Sequence, residues 1–198
     1  MINEQLLLDF NARIKEYSKG DIIFSENETA KYYYQISSGA VKMNNYNDDG
    51  KEFIQNVFYK TQSFGEPPLF IDVKYPANAI AFSDCKLLEL NKDSLFKLLY
   101  KHPEIHLNIT KSLANRLYYK AIIASEISSQ EPEHRVLRFF DYLKNDVHKI
   151  PGKFNFKVDY TRQQIADTLG LRVETVIRAI KNLEKQNQVI IEKRKVFR

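Results

Sequence analysis

The spacing of hydrophobic residues changes along the chain and divides it into stretches of different period. Residues 2–20 carry a short amphipathic pattern that predicts a helix ending near Gly20. Between residues 21 and 90 the apolar runs are brief: D-I-I-F at 21–24, Y-Y-Y-Q-I at 32–36, A-V-K-M at 40–43, E-F-I at 52–54 and L-L-E-L at 87–90. Turn formers such as Ser38-Gly39 and Asp48-Asp49-Gly50 separate them, so the stretch predicts a sandwich or barrel of short strands. From Lys92 the period lengthens to three and four. Leu95, Leu98 and Leu99 mark one helix, His102-Pro103 break it, and a long helix is predicted over residues 104–128. Its stripe is Ile109, Leu113, Leu117, Ala121, Ala124 and Ile127, which suits either a coiled-coil-like seam between two copies or packing on the β-domain. The segment S-S-Q-E-P at 128–132 is polar, carries a proline and reads as a hinge. Beyond it Val136, Leu137, Phe139, Phe140 and Leu143 predict a helix, Pro151-Gly152 a turn, and F-N-F-K-V at 154–158 an alternating strand. Residues 189–198 predict two short strands around the charged turn Glu192-Lys193-Arg194-Lys195.

The stretch at 161–184, T-R-Q-Q-I-A-D-T-L-G-L-R-V-E-T-V-I-R-A-I-K-N-L-E, holds two helices around one glycine. Thr161 and Gln164 have capping-box spacing, Ile165, Ala166 and Leu169 share a face, and Gly170 supplies the left-handed stop. The second helix is predicted to start at Arg172 or Val173 and to bury Val176, Ala179, Ile180 and Leu183. Its other side carries Val173, Glu174, Ile177, Arg178 and Lys181, an arrangement a major groove can reach. Arginine donates a bidentate pair to guanine and glutamate accepts from cytosine, so Glu174 and Arg178 read either as a base-reading pair, with Lys181 on phosphate, or, taken singly, as a first-turn helix acid and a solvated cation.

Charge sharpens this picture. Residues 129–198 hold 15 Lys+Arg against 9 Asp+Glu, a net of +6, whereas residues 1–128 carry a net of −1. A basic C-terminal third around a two-helix motif is the footprint of a polyanion binder. Cys85 is the single cysteine, which excludes an internal disulfide and a four-cysteine cluster within one chain. His102 and His106 lie one helical turn apart, but without further ligands nearby they read as an exposed pair, and no cofactor is expected. The absence of a long apolar run predicts a cytoplasmic protein with no membrane partner. No clustered His/Glu set or nucleophile–base pair points to an enzyme.

The run T-R-Q-Q-I-A-D-T-L-G-L-R-V-E-T-V-I-R resembles the helix-turn-helix of the Crp/Fnr family of bacterial transcription regulators, with Glu174, Thr175 and Arg178 on its E-T-x-x-R core. Val173 resembles the Fnr-type branch. Arg172 departs from the Ser or Thr usual at that capping position. The β-rich stretch resembles the cyclic-nucleotide-binding roll, through K-G-D-I-I-F-S-E, Y-Y-Y-Q-I-S-S-G-A-V-K, D-D-G-K-E and F-G-E-P-P-L-F. Gly20, Gly39, Gly50 and Gly65 stand at its turn glycines and Asn27 at another.

The resemblance implies an α+β chain: a double-stranded β-roll sensor domain at 1–102, a dimerisation helix and hinge at 103–128, and a winged helix-turn-helix at 129–198. It implies a homodimer on pseudo-palindromic double-stranded DNA with a TGA-like half-site core, and RNA polymerase as a partner. The implied DNA contacts are Thr161, Arg162, Gln163, Arg172, Val173, Glu174, Thr175, Ile177, Arg178 and Lys181, with Lys193, Arg194 and Lys195 in the wing. Phe64, Gly65 and Glu66 keep the family's ribose-binding turn, but its phosphate-binding Arg-Ser pair is replaced by Pro76 and Ala77, and its base-reading Thr-Ser pair by Lys120 and Ala121. An effector other than cyclic AMP, or none, is therefore expected. The rival class is a regulatory subunit whose roll controls a protein partner.

Overall fold

A computed structural model describes residues 2–127 and 131–198, backbone only at 119 and 122–127. Packing density separates Met1–Arg116 from Leu117–Arg198, so the division falls inside the long helix.

The first unit opens with a helix much shorter than the amphipathic pattern suggests. α1 (Glu4–Asp9) is capped by the Asn3 side chain and ends at Phe10, after which Asn11 turns left-handed. The chain then enters β1 (Arg13–Tyr17) instead of staying helical, pairing antiparallel with β8 (Cys85–Asn91) from Arg13↔Glu89 to Tyr17↔Cys85. β1 is an edge strand with four of its five residues exposed, so it has no alternating burial for a sequence pattern to reveal.

β2 (Ile22–Phe24), β3 (Tyr32–Ser38), β4 (Ala40–Tyr46) and β5 (Glu52–Tyr59) follow the predicted runs. Three further elements lie between them and β8: β6 (Ser63–Phe64), α2 (Glu66–Ile71) and β7 (Asn78–Ala81). Two four-stranded sheets result, ordered β1-β8-β3-β6 and β2-β7-β4-β5. All the turn glycines named above have positive φ, as does Asn27. At Gly39 the requirement is double: φ is +81°, and a Cβ there would lie 2.2 Å from the Asp84 carbonyl oxygen.

β3 and β8 feed two cores by strict alternation. Tyr34, Ile36, Cys85 and Leu87 point between the sheets toward Phe24, Val41, Phe58 and Phe64. Tyr33, Leu88 and Leu90 point the other way, onto Leu7 of α1 and onto Leu95, Leu98 and Leu99 of α3 (Lys92–Lys101). Gln35 on that outer face is 2 % exposed and clamps the N-terminal segment, accepting from the Ile2 amide at 3.1 Å and donating to the Ile2 carbonyl at 2.8 Å.

α4 (Pro103–Ile127) begins at the predicted His102-Pro103 break. The first two residues of its apolar stripe are covered within the chain. Ile109 is 6 % exposed and lies in the outer core, and Leu113 packs against the same cluster, because residues 109 and 113 face the helices of their own unit. Leu117 is 71 % exposed and Ala121 is exposed. The Ala124 and Ile127 side chains, and residues 128–130 of the expected hinge, lie outside the described residues.

In the second unit α5 (Pro132–Tyr142) runs into a π-helical turn over Leu143–Val147. β9 is confined to Lys157–Val158, shorter than the strand predicted at 154–158, because Phe154 takes φ +62°. Phe156 nonetheless exchanges two backbone hydrogen bonds with Arg198, at 3.1 and 2.9 Å. α6 (Arg162–Leu169) and α7 (Val173–Lys185) precede the hairpin β10 (Ile190–Glu192) and β11 (Lys195–Phe197), and the small sheet is ordered β10-β11-β9. The Arg198 guanidinium fastens the chain end to Asp141 at 2.6 Å and to the Gln188 carbonyl at 2.8 Å.

Candidate nucleic-acid interface

The two-helix motif is built from local chemistry. The Thr161 hydroxyl accepts from the Gln164 amide at 3.1 Å while the Gln164 side chain accepts from the Thr161 amide at 2.8 Å, a closed capping box that starts α6. Ile165, Ala166 and Leu169 are buried. Gly170, at φ +62°, ends the helix, so the next can begin at Val173. Arg172 occupies the N-cap of α7 with no side-chain cap bond; only its backbone carbonyl serves the first turn.

α7 is split lengthwise. Val176, Ala179, Ile180 and Leu183 are at most 1 % exposed, whereas Glu174, Arg178 and Lys181 are exposed, with Ile177 beside them at 39 %. Val173 and Thr175 are half-buried at its start. Among the described residues no hydrogen bond or ion pair engages the Glu174, Arg178 or Lys181 side chains, so their polar atoms are free for an outside partner. Gln163 is less free than the sequence suggests, because its amide nitrogen donates to the buried Asp167 carboxylate at 2.8 Å.

The wing carries its cations on a strained turn. Between β10 and β11 Lys193 and Arg194 have φ of +45° and +65°, the double left-handed geometry of a tight hairpin usually given to Asn-Gly. Glu184 ties this hairpin to α7 by accepting from the Ile191 amide at 3.1 Å. Between wing, α6 and α7 lies a groove of about 500 Å³ that gathers Thr161, Arg162, Ile177, Lys181, Arg194 and Lys195. Residues far apart in sequence thus form one cationic trough beside the exposed face of α7. Lys193 is exposed at the wing tip.

The turn in the β-roll is equally well defined. Gly65, at φ +77°, caps α2, whose first residue, Glu66, is 1 % exposed. The Glu66 carboxylate accepts from the Ser63 hydroxyl and from Arg116 of α4, whose Nη1 lies 3.2 Å from Oε2. Arg116 also donates to the Ser63 carbonyl at 2.6 Å and stands over the Phe58 ring at 5.1 Å. Sequence reasoning missed Arg116, although the signal was available: residue 116 is in phase with Ile109 and Leu113, and a cation in a buried stripe requires a buried acid. Aromatic rings fill the roll beside this turn. Phe64 stacks on Tyr34 with ring centroids 5.1 Å apart, and Phe24 stacks on Tyr75 at 3.7 Å. Pro76 is exposed, its carbonyl accepting from Asn45 at 2.8 Å, and Ala77 is fully buried. Lys120 is exposed on α4.

No group of three or more possible metal ligands occurs among the described residues. His106 instead stacks on Phe70, and His102 sets its ring against the edge of Phe10. Among the described residues no helix is long and apolar enough to cross a membrane.

Roll and winged motif together define a class, a transcription regulator in which a cyclic-nucleotide-binding-like domain accompanies a DNA-binding one. Residues 14–102 match the cyclic nucleotide-binding domain family and residues 134–197 the Crp-like helix-turn-helix domain. The chain thus combines, in this order, the two domains of the Crp/Fnr-type transcription regulators. It is 26% identical over 180 residues to the cAMP-activated global transcriptional regulator CRP of Haemophilus influenzae, covering 90% of this chain and 80% of that one. The global nitrogen regulator of Synechocystis is 22% identical, with 92% and 83% covered. Among solved structures, the c-di-GMP-responsive global regulator CLP of Xanthomonas campestris superposes with a TM-score of 0.79 at 20% identity, covering 98% of both chains. FixK2 of Bradyrhizobium japonicum gives 0.78 at 23%, covering 94% of this chain and 91% of that one.

Proposed function

We propose that this regulator acts in the cytoplasm as a homodimer on a pseudo-palindromic site, that it contacts RNA polymerase there, and that it does not use cyclic AMP as effector. The observation that carries the reading is the face of α7, where Glu174, Arg178 and Lys181 are exposed and unengaged beside the cationic trough. Glu174 and Arg178 read base edges in the major groove, while Lys181, Arg162 and the wing cations Lys193, Arg194 and Lys195 neutralise phosphates.

The seam in this reading keeps Leu117 and Ala121 of the stripe read in the sequence and takes Leu107 and Ala114 in place of the covered Ile109 and Leu113. Leu107, Ala114, Leu117 and Ala121 are all exposed on α4 and recur at intervals of seven, three and four, with Leu107 at 54 % and Leu117 at 71 % exposure. Covering such a row against its symmetry mate removes apolar surface that one chain leaves in water. A two-fold pair of α7 helices then requires half-sites about one helical turn apart.

Two observations speak against cyclic AMP. Glu66 is already satisfied by Arg116 and Ser63, and the phosphate-binding positions hold Pro76 and Ala77, neither of which offers a side-chain donor. A buried cyclic phosphate without a partnered cation is unfavourable by several kcal/mol or more. Footprinting on selected DNA, run with light scattering, tests the assembly: two protected half-sites and a dimer mass are expected, and a monomer protecting one half-site overturns it. Calorimetric titration with cyclic AMP and cyclic GMP should show no binding; micromolar binding that also tightens the DNA complex overturns the effector reading.

A further inference from the structure

The roll contains a hollow whose lining includes none of Phe64, Gly65 and Glu66. It measures about 370 Å³ and is bounded by Lys15 and Tyr17 of β1, Glu89 of β8, and Glu28, Thr29 and Lys31 between β2 and β3. A neighbouring hollow of about 600 Å³ shares Lys15, Tyr32 and Glu89 with it and adds Arg13 and Asn91. Both volumes are of the size small-molecule sites use.

Glu89 is the group that packing alone does not explain. It continues the inward row of β8 after Cys85 and Leu87 and is 5 % exposed, so its carboxylate is largely cut off from water. It is held by two donors, the Tyr17 hydroxyl at 2.7 Å on Oε1 and the Lys15 ammonium at 3.0 Å on Oε2. The Lys15 side chain is 55 % exposed and reaches in from an edge strand, so this ammonium is the movable end of a solvated chain. The walls are aromatic: Tyr17, Phe24, Tyr32, Tyr34 and Tyr75. Burial raises the Tyr17, Tyr34 and Tyr75 hydroxyls above tyrosine's ordinary value, which keeps them neutral and able to donate. A buried carboxylate among aromatic rings is a receptor for an ammonium group. Lys31, and Arg13 in the adjoining hollow, supply cations for an anion attached to it.

We propose that this hollow binds a small α-amino acid, the ligand ammonium replacing that of Lys15 on Glu89 and the ligand carboxylate taken by Lys31 and the displaced Lys15. The site has a route to the rest of the unit. Tyr34, Phe24 and Tyr75, which wall the hollow, also stand 3.4–3.5 Å from where a Gly65 Cβ would lie. An occupant that shifts those rings acts on the turn holding Glu66 and hence on its partner Arg116 of α4.

Ligand binding is read on the free full chain, so this inference and the DNA reading fail independently. The test is calorimetric titration of the protein with each of the twenty proteinogenic L-amino acids in turn. At least one is expected to bind once per chain with a Kd under about 1 mM, and its Nα-acetyl derivative, which has no α-ammonium, is expected not to bind. Glu89→Gln should weaken that binding at least tenfold or so, and Lys31→Ala, at an exposed position that leaves the fold alone, roughly threefold or more. Asp93→Asn on α3 should leave it within about twofold. Binding by none of the twenty overturns the proposal, and so does binding that is unchanged in both Glu89→Gln and Lys31→Ala.

Discussion

Glu66 is 1 % exposed and depends on Arg116, whose own side chain is 23% exposed. Removing the cation leaves a buried carboxylate with the Ser63 hydroxyl as its remaining side-chain donor, so Arg116→Ala should cost about 3–5 kcal/mol in denaturant unfolding. Replacing both partners, as Glu66→Gln with Arg116→Met, should recover most of that loss; a double variant as unstable as the single one contradicts the pairing. Cys85 makes a different prediction. Burial, with Asp84 and Asp21 nearby, pushes its thiol up to about 11, so the protonated form prevails at pH 8. A thiol reagent should leave the folded protein unmodified at that pH and modify the denatured chain fully. Gly39→Ala should destabilise by about 2 kcal/mol or more, since its left-handed backbone and the Asp84 carbonyl both exclude a side chain.

At the scale of elements, legibility followed local chemistry. The α6–turn–α7 motif was readable to the residue because a capping box, a glycine stop and a sharply two-faced helix each leave marks within a few positions. β1 was not, since an edge strand that buries little looks like any polar stretch and is defined by its pairing to β8, some 70 residues away by the Tyr17–Glu89 separation. α2 and β7 likewise depend on packing around Phe64 and Tyr75 and lack long periodic runs. The α4 stripe was read with the correct period, but of its residues Ile109 and Leu113 are covered within the chain while Leu117 and Ala121 stay exposed, because spacing fixes which residues share a face and says nothing of what covers it. Arg172 offers a test here. Its α7 cap has no side-chain bond, so Arg172→Ser should raise thermal stability by about 1 kcal/mol, and an unchanged or lower midpoint contradicts the cap assignment.

For the whole molecule, charge and surface agree. The net of +6 on residues 129–198 supplies affinity for any duplex, and the wing and trough cations place it beside α7. Affinity should therefore fall linearly with the logarithm of salt concentration, and Lys193→Ala should lower that slope by about one unit while weakening all sequences alike. Arg178 must behave differently if α7 reads bases. The most direct measurement is the affinity of wild type and Arg178→Ala for a cognate site and for random DNA at one fixed salt concentration. A loss of about 1–3 kcal/mol on the cognate site, relaxed preference at one base pair and little change on random DNA are expected, whereas equal losses on both would contradict base reading by Arg178.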